Sequence, residues 1–172
     1  MFLPFNVTGI RRYQKASAVA RLTLPITNAF VDGIAEFINH VGIEDGGHTM
    51  ISIEFFPHRK VLSIPRDATA FYQRGDWVDW HALIGYGQRV DLDEWVRDWA
   101  HRLTDKIVDL EKADDGVPED HKTGGQNGYW YMGNDVDRKQ LWGTNYDRLR
   151  ALKKKYDPKS VFHSWFPIIP VD

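Results

Sequence analysis

Leu92, Trp95, Val96, Trp99, Ala100, Leu103, Ile107 and Leu110 recur at three- and four-residue spacing, a single apolar stripe about five helical turns long. Asp91, Asp93 and Glu94 precede or open it, which suits the positive end of a helix and reads as a capping box. An amphipathic helix of this length needs a flat apolar surface to lie on. Alternating runs elsewhere supply one. In Thr49–Phe55, Ile51, Ile53 and Phe55 fall on one face and Met50, Ser52 and Glu54 on the other. In Trp77–Tyr86, Val78, Trp80, Ala82 and Ile84 oppose Trp77, Asp79, His81 and Leu83. Ala16–Leu24 alternates loosely as a first strand, and Val61–Ile64 and Tyr129–Met132 read as short strands.

Pro25-Ile26-Thr27-Asn28 reads as a turn and cap before a second helix, whose face is Phe30, Ile34, Phe37, Ile38 and Val41 and whose stop is Gly42. Lys112–Asn127 is a polar, glycine-containing loop. A last helix begins at Asn145, carries Tyr146, Leu149, Leu152 and Tyr156 on one side, gathers Lys153–Lys155 in its final turn and ends at Asp157-Pro158. Val161 and Phe162 are expected to fold back onto the body. The order β α β β β α β α predicts an α+β fold: an antiparallel sheet with helices on one face and a C-terminal closing helix. At 172 residues the chain is expected to be one domain, 1–172.

The totals exclude several function classes. A net charge of −2, with no basic block beyond Lys153–Lys155, argues against nucleic-acid binding. There are 0 Cys, so thiol catalysis, disulfides and a cysteinyl link to a cofactor are excluded for this chain. Histidines show no metal-ligand spacing. No apolar run reaches the roughly 18 residues of a membrane span, and no signal peptide is evident, so a cytoplasmic location is the default expectation. Aromatics are abundant (7 Trp, 7 Tyr, 9 Phe), enough to fill a core and line a pocket for a flat organic ligand.

Leu141–Phe162, LWGTNYDRLRALKKKYDPKSVF, resembles the closing segment of berberine-bridge-enzyme-like FAD-linked oxidoreductases. Arg12–Leu24 and Asp67–Arg74 (DATAFYQR) are similar to further stretches of the same family's substrate-binding part, and Ile51–Ile64 to its central hairpin. The resemblance covers most of residues 12–168 and leaves out the family's FAD-binding domain, with its glycine-rich pyrophosphate loop and its flavin attachment points. Gly124-Gly125 sits in a polar loop without the strand–helix context of a phosphate cradle.

The resemblance implies a substrate-side domain whose sheet roofs a ligand. His81, counted from Arg74, falls where relatives carry a Gln or Glu facing flavin and substrate. An imidazole there can take a proton from a hydroxyl or an α-carbon, with Asp79 on the same face to orient it. Tyr129 and Tyr131 fall on the family's pocket strand, where a phenol can polarise a carbonyl. Phe55, Tyr72, Trp77 and Tyr86 are expected to line the substrate pocket.

Two enzymatic readings follow. One is a flavin-free enzyme that isomerises or cyclises a hydrophobic natural-product intermediate, needing no cofactor of its own. The bulky Phe55-Phe56 and Tyr131, where relatives leave room for flavin, favour it, as does a chain that begins with Met as though self-sufficient. The other is the substrate-binding half of an FAD-dependent oxidoreductase working with a separate FAD-binding domain. A non-catalytic binding module is the third possibility. A sheet face bared by loss of the FAD domain predicts a homodimer or a covering partner.

Overall fold

The central strand of the molecule is the run that carries His81. In a computed structural model, which describes residues 11–72, 74–119, 122–123, 138–163 and 167–171, three strands form one antiparallel sheet in the order β1-β3-β2. β1 is Arg12–Val19, β2 is Gly47–Glu54 and β3 is Val78–Tyr86. β3 is hydrogen-bonded on both sides. His81 stands between Ala16 of β1 and Ser52 of β2, and Asp79 between Ala18 and Glu54.

Two long helices, α1 (Leu24–Val41) and α3 (Asp93–Lys112), cover one face. α1 lies over β2 and α3 over β1, and the helices touch each other. Their interface is close because Gly33 has no side chain: a Cβ there would lie 3.0 Å from Leu103 Cδ1. The same gap lets Trp99 Nε1 donate to Gly33 O at 3.2 Å. Phe37 meets Trp99 edge-on, with centroids 5.2 Å apart, and Phe30 meets Trp80 at the same separation. Val96, Trp99, Ala100, Leu103 and Ile107, all from the stripe read in the sequence, are buried against Trp80, Ala82 and Ile84 of β3.

Three tethers hold the ends of the elements. Arg11 pairs with Asp93 at the start of α3, and Tyr86 Oη donates to the same carboxylate at 2.8 Å. Arg11 chiefly, then Tyr86, holds the Asp93 carboxyl below its ordinary range. Burial, then the bond to Asp93, pushes the Tyr86 phenol above its own. At the far end of α3, buried Glu111 accepts from Ala20 N at 2.6 Å and Thr123 N at 3.0 Å, tying β1 to the helix end.

Several expected boundaries move. Pro25 occupies the first turn of α1, where its missing N–H costs nothing, so Pro25–Asn28 is helix and not turn. Asp93 is the first residue of α3, after a 3₁₀ turn over Val90–Leu92; the cap position falls to Leu92, which has no side-chain acceptor, while Asp93 is engaged by Arg11 and Asp91 by Arg89. The expected hairpin after β2 is absent. Arg59–Leu62 is a one-turn helix, α2, with Leu62 N donating to His58 O at 2.9 Å, and the partner of β2 is β3. Tyr129–Met132 lies outside the described residues.

α4 (Arg138–Trp142) and α5 (Tyr146–Tyr156) end the chain. α5 stops at Asp157 as expected, but none of its residues is buried, and Tyr156 is 73% exposed. Val161 and Phe162 also face outward. The Asp157 carboxylate accepts from the backbone N–H of both, at 2.8 and 3.0 Å, and from Lys153, which fixes a turn that points them away from the body. Asn145 precedes α5 without capping it. Its Nδ2 instead donates at 2.9 Å to Arg66 O and to Thr69 O, binding the closing segment to the 63–74 loop.

Candidate active site

The pleat of β3 sends Asp79, His81, Leu83 and Gly85 to the face away from α1 and α3. Directly across on β2 stand Glu54, Ser52, Met50 and His48, and on β1 Ala18, Ala16, Gln14 and Arg12. The neighbours of His81 are therefore the small Ala16 and Ser52, which flank the imidazole without crowding it. From the diagonal position Glu54 reaches it, Oε1 to His81 Nε2 at 3.4 Å. Asp79 and His81 are buried, while Glu54 is a third exposed. A buried imidazole facing a carboxylate that touches solvent can share one proton with it.

This face has two halves. Around Asp79 and His81 the chain itself covers it: Ala16 and Ala18 are buried too. Around Leu83 and Gly85 it is open, Met50 is 43% exposed, and a cavity of about 400 Å³ lies over the strands. Arg12, Gln14, His48, Met50 and Leu83 line it. Its size falls within the roughly 300–1,000 Å³ of small-molecule pockets.

The sequence-derived candidates scatter. His81 and Asp79 lie together as expected, but the carboxylate in contact with Nε2 is Glu54. Trp77 lies just before β3, its ring over Gly75 and 6.1 Å from that of His58. Tyr72 packs against Gly143, where a Cβ would meet its ring at 2.3 Å, beneath the Arg66 guanidinium. It joins the loop to the closing segment. Phe55 projects beyond the end of β2 and is 70% exposed. Tyr86 faces the helices. None of these four lines the cavity. Tyr129 and Tyr131 lie outside the described residues. Glu54 and His48 were the omissions. Glu54 belongs to the Met50–Ser52–Glu54 face read in the sequence, His48 precedes the expected strand and joins that face because β2 starts at Gly47, and only the β2–β3 register brings the face to His81.

Neither the β1–α1 nor the β3–α3 junction offers a glycine cradle for the pyrophosphate of a dinucleotide. The β1–α1 junction, residues 20–23, holds no glycine. Gly87, between β3 and α3, packs on the neighbouring turn: a Cβ there would meet Asp45 O at 2.5 Å. The described glycines at these junctions thus serve packing, not phosphate contact. Nor does any group of three potential ligands among the described residues form a metal site. No helix among them is long and apolar enough to cross a membrane.

Residues 131–168 match the family model described as berberine and berberine like. The closing segment is berberine-like. Beyond this segment, the chain is 28% identical over 94% of its length to the FAD-linked oxidoreductase pgmH of Aspergillus terreus. It spans about a third (34%) of that relative. The fold recurs in CrmK, a flavoenzyme involved in the shunt product recycling mechanism in caerulomycin biosynthesis, with a TM-score of 0.62 and 20% identity over 98% of this chain and 34% of that one. It recurs again in aclacinomycin oxidoreductase, TM-score 0.60 and 18% identity, over 97% of this chain and 34% of the other. The chain, berberine-like segment included, is thus similar over most of its length to about a third of an FAD-linked oxidoreductase.

Proposed function

We propose that this chain is the substrate-side part of an FAD-linked oxidoreductase of secondary metabolism. It holds a flat, hydrophobic small molecule on the open face of the sheet and takes up a proton at the His81–Glu54 pair, where Nε2 and Oε1 face each other and share the charge. The observation that carries the reading is the His81–Glu54 contact at 3.4 Å on the same sheet face as a 400 Å³ cavity. The redox chemistry belongs to FAD held by a region that the relatives have and this chain does not span. Its own residues contribute binding, exclusion of water around His81 and a placed base. The exposed Met50 end of the face is where that region, or a second copy of the chain, would lie.

The preference for this reading over a flavin-free isomerase or cyclase follows from Phe55. Its bulk was a reason to exclude flavin from the face, yet its side chain points into solvent beyond the strand. The flavin-free reading keeps one supporting feature: base, carboxylate and cavity all lie within the chain, and an isomerisation needs no more than these.

Turnover assays of the purified chain, with FAD titration beside them, separate the two. The substrate-side reading expects little uptake by the chain alone and no turnover. Turnover of a hydroxylated aromatic compound by the flavin-free chain would overturn it in favour of the isomerase. Micromolar FAD binding by the chain alone would overturn both.

A further inference from the structure

The geometry points to the cavity at the far end of the open face as a subsite for the hydroxyl-bearing aromatic end of the substrate, with His48 Nε2 accepting the hydroxyl hydrogen. The inference rests on the reading of this face as the substrate side. Its basis is the tautomer of His48. Nδ1 lies 3.1 Å from Gly46 O, and a carbonyl oxygen only accepts, so Nδ1 carries the hydrogen. In the neutral ring Nε2 is then an acceptor, which selects ligands that bring an O–H.

The ring is also held in place. It lies flat across β3 at Gly85, where a Cβ would meet His48 Cε1 at 2.1 Å and Nε2 at 2.3 Å. Any other residue at 85 would push the imidazole off the strand. Met50 and Leu83, side by side in the next row inward, give the cavity apolar walls suited to an aromatic ring. Arg12 and Gln14 line it from β1, so positive charge flanks the oxygen that His48 would hold. Gly85 and His81 are four residues apart on one strand, ~13 Å. The His48 subsite thus lies on the open half of the face, that distance along the strand from the covered His81–Glu54 pair.

The test compares 2-naphthol with 2-methoxynaphthalene, which has the same rings and no hydroxyl hydrogen. Each is titrated into the ¹⁵N-labelled full chain while the histidine ring nitrogens are followed by NMR. The expected result is saturable binding of 2-naphthol that moves the His48 Nε2 signal, with the methoxy compound weaker by about tenfold, the worth of one hydrogen bond. His48→Phe, which keeps a ring and removes the nitrogen, should abolish the difference. Equal affinities in the wild type, an unmoved His48 Nε2 signal or no binding of 2-naphthol would each overturn the subsite. The wild-type comparison decides even if the variant does not fold. Because the readout uses neither His81 nor flavin, a subsite that binds 2-naphthol in a protein whose turnover survives His81→Ala leaves this inference standing and removes the proposed role of His81.

Discussion

Glu54 and His81 meet diagonally across two antiparallel strands, Oε1 to Nε2 at 3.4 Å, although 27 positions apart in sequence. Removing the imidazole should remove proton transfer. His81→Ala is expected to lower turnover by 10²-fold or more, in the range of about 10²–10⁴ typical of a general base. Because Ala16 and Ser52 are too small to fill the space a buried imidazole leaves, His81→Gln, which keeps most of the volume, is the companion variant whose melting temperature should stay within a few degrees. Glu54→Gln should give a smaller loss of turnover with KM unchanged. Flavin-bleaching kinetics of the chain mixed with the FAD-binding portion of a relative such as pgmH, alongside thermal melts, checks both.

Gly85→Ala tests the seat of His48. A Cβ at this position would displace the imidazole, yet the β3 backbone accommodates alanine. The fold should persist by circular dichroism, while the His48 ring nitrogen signals shift and the hydrogen bond to Gly46 O is lost in NMR spectra.

Glu111 is a structural tie, and its loss should register as stability. Glu111→Ala leaves the part-buried Ala20 and Thr123 N–H groups without their acceptor, while the Thr123 hydroxyl keeps Ala18 O. Two to three charge-assisted bonds are removed, so urea denaturation should give a loss of about 3 kcal/mol or more. Glu111→Gln should recover part of it.

The Asp93 carboxyl is held below its ordinary range by Arg11 and Tyr86. A group with a depressed folded pKa stabilises the protein above its unfolded value, near 3.9, and this contribution drains as pH falls through the folded value. Asp93→Asn should therefore lower the melting temperature at pH 7. The gap between variant and wild type should close as pH falls below about 4. Thermal melts across pH 2–7 check the convergence.

The parts of the fold visible in the sequence were those governed by local period. The stripe from Leu92 to Leu110 and the alternation through His81 both survive in the structure residue by residue. Short apolar runs without their own period were ambiguous: Val61–Ile64 satisfies a strand pattern, but the turn that closes on His58 O makes most of it helix. Pro25 carries two local meanings, turn former and first-turn helix residue, and only the packing of Ile26, Ala29 and Phe30 under α1 selects the second. The candidate site was half legible. His81 and Asp79 came from one strand, whereas Glu54 and His48 required the pairing of β2 with β3 across a 23-residue connection, residues 55–77, a non-local fact. Tyr86 shares the phase of Trp80, Ala82 and Ile84, opposite His81, and in the structure it faces the helices with them.

The most direct measurement is anaerobic flavin bleaching after the chain is mixed with the FAD-binding portion of an FAD-linked oxidoreductase such as pgmH, using a panel of hydroxylated aromatic compounds. If this chain is the substrate side, bleaching requires both components and falls by 10²-fold or more with His81→Ala and with His81→Gln, the variant whose melting temperature is retained. Bleaching that is unchanged by His81→Ala, or that proceeds at full rate without this chain, would contradict the account.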